Sequence, residues 1–251
     1  MTRLVYANTD VGLVRARNED SFLTLDMDQL PGKLGPLLLV ADGMGGHAAG
    51  DVASNMVITS VGAQIALLPD SQTVDCDNWL DIMEEILVKT NLEVFRAGQN
   101  REYHGMGTTC TLAIVLENLL LLCHIGDSRA YRLQEKSLEQ VSTDHTWVQQ
   151  AVDEGYITSA EAEVHPQRNV LTRAIGIYPE IEIQKSSVPI SKTDRLILCS
   201  DGLTTMLSDD KILSLISNTA DPEIPRTLID ASNEAGGIDN ITVGIISSEI
   251  D

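Results

Sequence analysis

The chain has 251 residues, 43% apolar and 22% charged, which is enough for a sizeable core and too apolar for disorder. With 17 basic and 37 acidic residues the net charge is −20, which disfavours nucleic acid and anionic lipid surfaces as partners. No apolar run approaches the ~20 residues of a membrane span. Met1 to Asp10 carry no basic-then-apolar leader pattern, so the expectation is a cytoplasmic monomer that engages neither nucleic acid nor membrane.

Leu30 to Pro36 is a short Pro/Gly-bearing stretch expected to be a hairpin loop. Leu37 to Ala41 follows as a strand. Asp51 to Leu68 then shows helical spacing, with Val52, Met56 and Ile65 on one side. Asn78 to Ala97 does the same with Trp79, Ile82, Met83, Ile86 and Leu87. Thr108 to Leu116 and Leu119 to Ile125 are strands, joined into a hairpin at Glu117-Asn118. Thr158 with Glu161 resembles a capping box for a short helix. After a strand at Leu196 to Cys199, Ser208 caps a helix to about Ser217, with Asp209 and Asp210 in its first turn. Pro222 to Ala235 forms the last helix, stopped by Gly236-Gly237, and Ile241 to Ile246 the last strand. There is no internal repeat or long linker. The mixed order argues an α+β fold rather than regular βαβ winding.

The cysteines are Cys76, Cys110, Cys123 and Cys199, with no C-x-x-C pair. That disfavours a zinc ribbon and fits a reducing compartment.

Three apolar runs lead into aspartate: Leu37 to Ala41 into Asp42-Gly43, Leu119 to Gly126 into Asp127, and Leu196 to Ser200 into Asp201-Gly202. A fourth, Asp239, stands just before the run Ile241 to Ile246. A charged group beside a core strand is costly unless it is paired or bound to a cation. One such Asp would merely start a turn. Four in the same placement are suited to meet at one edge of a sheet or sandwich, where they would repel one another. A hard divalent cation removes that penalty. Gly43, lacking a side chain, lets its carbonyl approach such an ion. Arg15 has the fork geometry for phosphate oxygens, and Glu19 and Asp20 beside it are suited to hold water on a metal.

The chain carries Arg15-Ala-Arg-Asn-Glu-Asp20, Val40-Ala-Asp-Gly-Met-Gly-Gly-His47, Gly107-Thr-Thr109, Gly126-Asp-Ser-Arg-Ala-Tyr131, Ser200-Asp-Gly202 and Asp239-Asn-Ile-Thr242, in that order. In this it resembles the PPM/PP2C-type metal-dependent serine/threonine phosphatases, bacterial branch, from about Asn8 to Ile246. The resemblance implies a single domain over 1–251, with two packed antiparallel sheets forming a β-sandwich flanked by helices. It places a binuclear Mn²⁺ or Mg²⁺ centre at one end, with a third ion beside it. Asp42 would bridge the two metals, Asp201 and Asp239 would complete the first site, and the Gly43 carbonyl would bind the second. Asp127, with Asp201, would hold the third ion. Arg15 would grip the substrate phosphate, and Glu19 and Asp20 would act through metal-bound water. A hydroxide bridging the metals would attack phosphoserine or phosphothreonine directly, without a phosphoenzyme. Phosphorylated proteins and a cognate Ser/Thr kinase system would be the partners. Met44 stands where many eukaryotic members carry His, which leaves His47 or a metal-bound water as the proton donor. Residues 145–176 resemble the family's flap, with the strand that follows it.

Two other motifs compete. Cys123-His-Ile-Gly-Asp-Ser-Arg129 fits the C-x5-R loop of cysteine phosphatases, although Asp127 would sit inside its anion cradle. Gly43-Met-Gly-Gly-His-Ala48 superficially fits a dinucleotide fingerprint, with Asp42 placed to repel pyrophosphate. A pseudophosphatase that binds phosphoproteins without turnover is the non-enzymatic alternative.

Overall fold

Leu37 to Ala41 are all fully buried, which is what an apolar run without polar alternation requires: a strand covered on both faces. The computed structural model describes residues 3–30, 34–45, 49–68 and 76–248. The strands are β1 (Arg3–Asp10), β2 (Asp20–Leu25), β3 (Leu34–Met44), β4 (Gly107–Thr108), β5 (Cys110–Leu116), β6 (Leu119–Ile125), β7 (Arg129–Gln134), β8 (Ser137–Gln140), β9 (Gln184–Pro189), β10 (Arg195–Cys199) and β11 (Ile241–Ser248). The helices are α1 (Gly50–Ala66), α2 (Cys76–Ala97), α3 (Trp147–Asp153), α4 (Ser159–Glu163), α5 (Asp201–Thr204), α6 (Asp209–Ile216) and α7 (Ile224–Glu234).

One sheet runs β1-β11-β10-β7-β8. The other runs β2-β3-β5-β6-β9, with β4 added on β3, and the paired strands are antiparallel. The sheets pack face to face with helices outside, an α+β sandwich as expected. Period-two alternation sorts each strand between two apolar layers. Leu38 and Val40 of β3 meet Leu120, Leu122, Leu196, Leu198 and Ile246 between the sheets. Leu37, Leu39 and Ala41 face outward onto α1 and α2, against Val57, Val61, Met83 and Leu87. On the other side, Ile197, Val243 and Ile245 pack under α6 and α7. Each fully buried leucine or valine contributes about 1.5–3 kcal/mol. Gly244 sets the spacing between the sheets: a Cβ there would fall 2.5 Å from Leu38 Cδ1.

Following the inner face of each strand toward one end, the side chains turn from apolar to polar. Val40 gives way to Asp42, Leu122 to His124, Leu198 to Ser200, and Ile246 and Gly244 to Thr242. Asp20 of β2 lies directly opposite Asp42. The polar end of the sandwich is therefore a continuation of the core's own alternation.

Some expectations shift. The stretch 108–116 is broken at Thr109, whose N–H turns to the carbonyl of Asp42 (2.9 Å). Asp42 and Gly43 lie within β3, which runs on to pair Gly43 with Thr108 and Met44 with Gly107. Leu34 to Pro36 belong to β3 rather than to a loop, with a register shift between Leu34 and Leu37. Residues 31–33 of that stretch lie outside the described residues. The Glu117-Asn118 turn forms, with Glu117 at φ 53. In the flap region, α3 is capped by Thr146, and α4 by the Thr158/Glu161 capping box. No strand follows it directly: Leu171 and Ile175 make single bridges to Thr146 and Thr108, and the chain next becomes a strand at β9. Among the described residues no helix is long and apolar enough to cross a membrane.

Candidate metal centre

The backbone of Asp42 is pinned on both sides. Thr109 Oγ1 accepts from its N–H at 2.9 Å, and Thr108 Oγ1 donates to its carbonyl at 2.8 Å. Across the ladder, Asp20 is buried. Its Oδ2 accepts from Ser200 Oγ and Thr242 Oγ1, each at 2.7 Å. Its Oδ1 is buried with no protein partner. Asp201 starts α5 where β10 ends, and Asp239 precedes β11. Asp127 sits in the β6–β7 connection after Gly126, which adopts φ 112 with Thr109 packed against it.

Close backbone approach explains two glycines. A Cβ on Gly43 would lie 2.1 Å from the carbonyl oxygen of Gly50, and one on Gly202 would lie 2.0 Å from that of Asn240. These contacts bring the Asp42 strand against the start of α1, and Asp201 against the Asp239-Asn240 segment.

The acids feel one another. Burial, then the charges of Asp20, Asp201, Asp127 and Asp239, hold the Asp42 carboxyl well above the usual carboxylate range. Burial pushes Asp20 up to about 7, against the two hydroxyl donors. Burial and the charge of Asp201 push Asp127 up to about 8. Burial and Asp239 push Asp201 up to about 6. Glu19 is raised by burial and then by Asp51. The fold thus brings Asp20, Asp42, Asp127, Asp201 and Asp239 into one electrostatic neighbourhood. Arg15 stands at its rim, half exposed, with its guanidinium 2.7 Å from Asp239 Oδ2. His47 lies outside the described residues.

These residues fit hard divalent cations. The donors are all oxygen, the carboxylates destabilise one another at neutral pH, and one buried oxygen of Asp20 is left without a partner. Among the described residues no three acidic, imidazole or thiol groups close around a point tightly enough to form an all-protein cage. A cleft of about 1020 Å³ opens from Asp127 and Asp201 toward the flap, where Val148 and Val152 of α3 and Arg168 line it.

The C-x5-R match does not form a phosphate loop. Cys123 is buried in the layer beneath α2, where burial pushes its thiol up to about 12. The Arg129 guanidinium is bound instead to Asp144, with Nη2 at 2.7 Å from Oδ2. The helix after the glycine-rich stretch begins at Gly50, and no βαβ unit is present among the described residues, so the dinucleotide reading also lapses.

Asn240 had been given no role of its own. Its Nδ2 donates to the carbonyls of Val11 (2.9 Å) and Arg17 (2.8 Å), while its Oδ1 accepts from the N–H of Glu19 at 2.8 Å. One side chain therefore shapes the turn that presents Arg15 and Glu19. Ser200 and Thr242 were likewise missed as Asp20 donors. The inward parity of β10 and β11 is the signal that would have found them. Asp51, at the start of α1, adds its charge beside Glu19.

A profile of the protein phosphatase 2C family matches residues 15–229. The chain belongs to the protein phosphatase 2C family. Protein phosphatase PhpP of Streptococcus pneumoniae is 35% identical over 245 residues, covering 95% of each chain. The serine/threonine phosphatase of S. agalactiae has the same fold at a TM-score of 0.90 and 32% identity, over 98% of this chain and 100% of that one. The catalytic domain of the phosphatase PstP, solved in complex with 2 manganese ions, matches at a TM-score of 0.82 and 36% identity, over 98% and 97% of the two chains. Within the family this chain sits among bacterial members.

Proposed function

We propose that this chain is, as a single domain, a serine/threonine protein phosphatase that hydrolyses phosphoserine and phosphothreonine on proteins. The observation that carries the reading is the Asp20–Asp42 pair: two carboxylates directly opposite on neighbouring strands, one oxygen unpartnered, ringed by Asp127, Asp201 and Asp239. Like charges directly opposite in a ladder destabilise it unless something positive lies between or beside them. We assign Asp42 as the shared ligand of two ions, Asp201 and Asp239 to the first, the Gly43 carbonyl to the second, and Asp127 with Asp201 to a third. The ions, Mn²⁺ or Mg²⁺, would supply positive charge for the phosphoryl oxygens and a water acidified toward neutrality as the nucleophile.

The chain's own residues do the rest. Arg15, tethered to Asp239, is placed at the rim to fork onto the phosphate. Glu19 and Asp20 hold and orient water at the floor, Asp20 through the oxygen that Ser200 and Thr242 leave free. Attack of that water on phosphorus would be in line, without a phosphoenzyme. The departing seryl or threonyl oxygen takes its proton from His47 or from water in the site. The partners are phosphorylated proteins and the cognate kinase that makes them.

The test is hydrolysis of phosphothreonine peptides with and without Mn²⁺. Asp42→Ala is expected to abolish turnover, Asp127→Ala to reduce it markedly, and Cys123→Ser to change it little. Turnover that survives chelation, or a folded Cys123→Ser protein without activity, defeats the proposal. Mn²⁺ binding without any turnover would favour the pseudophosphatase instead.

A further inference from the structure

Leu13, Val14 and Ile238 are 68%, 67% and 45% exposed, and all three lie within two residues of Arg15 or Asp239. Single exposed apolar side chains are ordinary on a protein surface. A group gathered at the mouth of a charged site is not, and contiguous apolar surface of this kind marks a contact.

The exposure does not come from a loose segment. Gly12, at φ 77, packs so closely that a Cβ would lie 2.2 Å from the carbonyl oxygen of Asp239. The Leu13 N–H donates to the Gly237 carbonyl at 2.7 Å. The Arg15–Asp239 ion pair and the two donations from Asn240 close the turn from the other side. The chain thus holds Leu13 and Val14 outward against solvent while fixing their backbone. Across the double glycine, Leu13 Cγ lies 3.0 Å from where a Gly237 Cβ would be. Met206 Sδ and Ile238 Cγ2 lie 3.7 and 4.0 Å from where a Gly236 Cβ would be. Gly236 and Gly237 thus run between these apolar groups without side chains of their own, with Asn233 Oδ1 the nearest atom to the Gly237 Cβ position at 2.5 Å.

We infer that Leu13, Val14 and Ile238, with Met206 behind them, seat an apolar side chain neighbouring the phosphoresidue of the protein substrate. This rests on the proposed function, because the seat is continuous with Arg15, the residue assigned to the phosphate. Its occupant follows from that continuity: a phosphoresidue held by Arg15 must lead its own chain over the adjoining surface. Beside the seat stand the Arg15–Asp239 pair, already joined, and the exposed Arg17. The excess of acid on the protein also disfavours acidic neighbours in the substrate.

The experiment compares kcat/KM for phosphothreonine peptides carrying Leu or Ser at each neighbouring position, with p-nitrophenyl phosphate as a reference that has no neighbours. Wild type is expected to prefer Leu at one position by about tenfold, equivalent to about 1.4 kcal/mol of apolar burial. Leu13→Ser and Ile238→Ser should bring that ratio toward one. Leu67→Ser, at an exposed leucine past the end of α1, should keep it. A wild-type ratio near one at every position overturns the seat, as does a preference that survives both rim substitutions. Failure to hydrolyse p-nitrophenyl phosphate with any divalent cation would strike the phosphatase reading itself, and the seat with it.

Discussion

Replacing Asn240 by alanine should damage stability and activity together. The buried side chain makes three hydrogen bonds of 2.8–2.9 Å, all to backbone groups of the turn between Val11 and Glu19. The alanine has no group to answer the two carbonyls and one N–H left behind. Each lost bond of this kind is worth about 0.5–1.5 kcal/mol, and more where the orphaned group stays dry. The sum is about 2–4 kcal/mol, a large share of the ~5–15 kcal/mol that holds a domain together. Urea denaturation of wild type and Asn240→Ala under the same cation concentration should show the midpoint falling with little change in slope. Hydrolysis of p-nitrophenyl phosphate by the folded variant should fall as well, because Arg15 and Glu19 lose their shared clamp. A variant within about 0.5 kcal/mol of wild type, with normal turnover, would show that the turn holds its shape without Asn240 and that the reasoning is wrong.

Gly202→Ala should lower stability by about 3 kcal/mol or more, since its Cβ would meet a backbone oxygen at 2.0 Å that no side-chain adjustment can relieve. Gly62→Ala, inside α1 with only Leu23 Cδ2 at 3.5 Å, should instead raise it by about 0.5–1 kcal/mol. Thermal melts of the two variants would refute the packing argument if both moved the same way. The stacked pair His124 and His145, with ring centroids 4.9 Å apart, predicts a pH dependence. Burial pushes His124 down to about 4 and His145 to about 3, so both are neutral in the fold. The unfolded chain takes up these protons near pH 6.5, so stability is full above that pH and falls as pH drops toward 4. For His124 the loss reaches ~3 kcal/mol. Urea midpoints at several pH values should show a shallower acid-side slope for His124→Asn than for wild type; equal slopes would reject it.

The legible parts of the fold were the strands buried on both faces. β3, β6 and β10 carry continuous apolar runs, Leu37 to Ala41, Leu119 to Cys123 and Leu196 to Cys199, because each of their faces meets a separate layer. The edge strands were not legible. All eight residues of β1 are half-buried, and β9 alternates exposed and half-buried residues with Val188 its only large apolar side chain. β1 offers only the short run Leu4 to Ala7, and β9 has neither a continuous nor an alternating apolar pattern. The aspartates of the site stood out because a charge beside an apolar run is conspicuous. What they meet did not, because Asp20 reaches Ser200 and Thr242 across 180 and 222 residues, and register between sheets leaves no trace in local sequence. The motif order carried what periodicity could not.

The pairing of β1 with β11 joins Asp10 to Ile241 and Arg3 to Ser248. Arg15, Glu19 and Asp20 each have one partner in the segment from Asp239 to Thr242, so their set of contacts is complete only when that segment arrives. Much of the second sheet can therefore form while the carboxylate end of the sandwich is still incomplete. Contacts between positions so far apart in sequence are in general the slow kind to form. The site proposed for the phosphate is therefore complete only once the segment from Asp239 into β11 is in place.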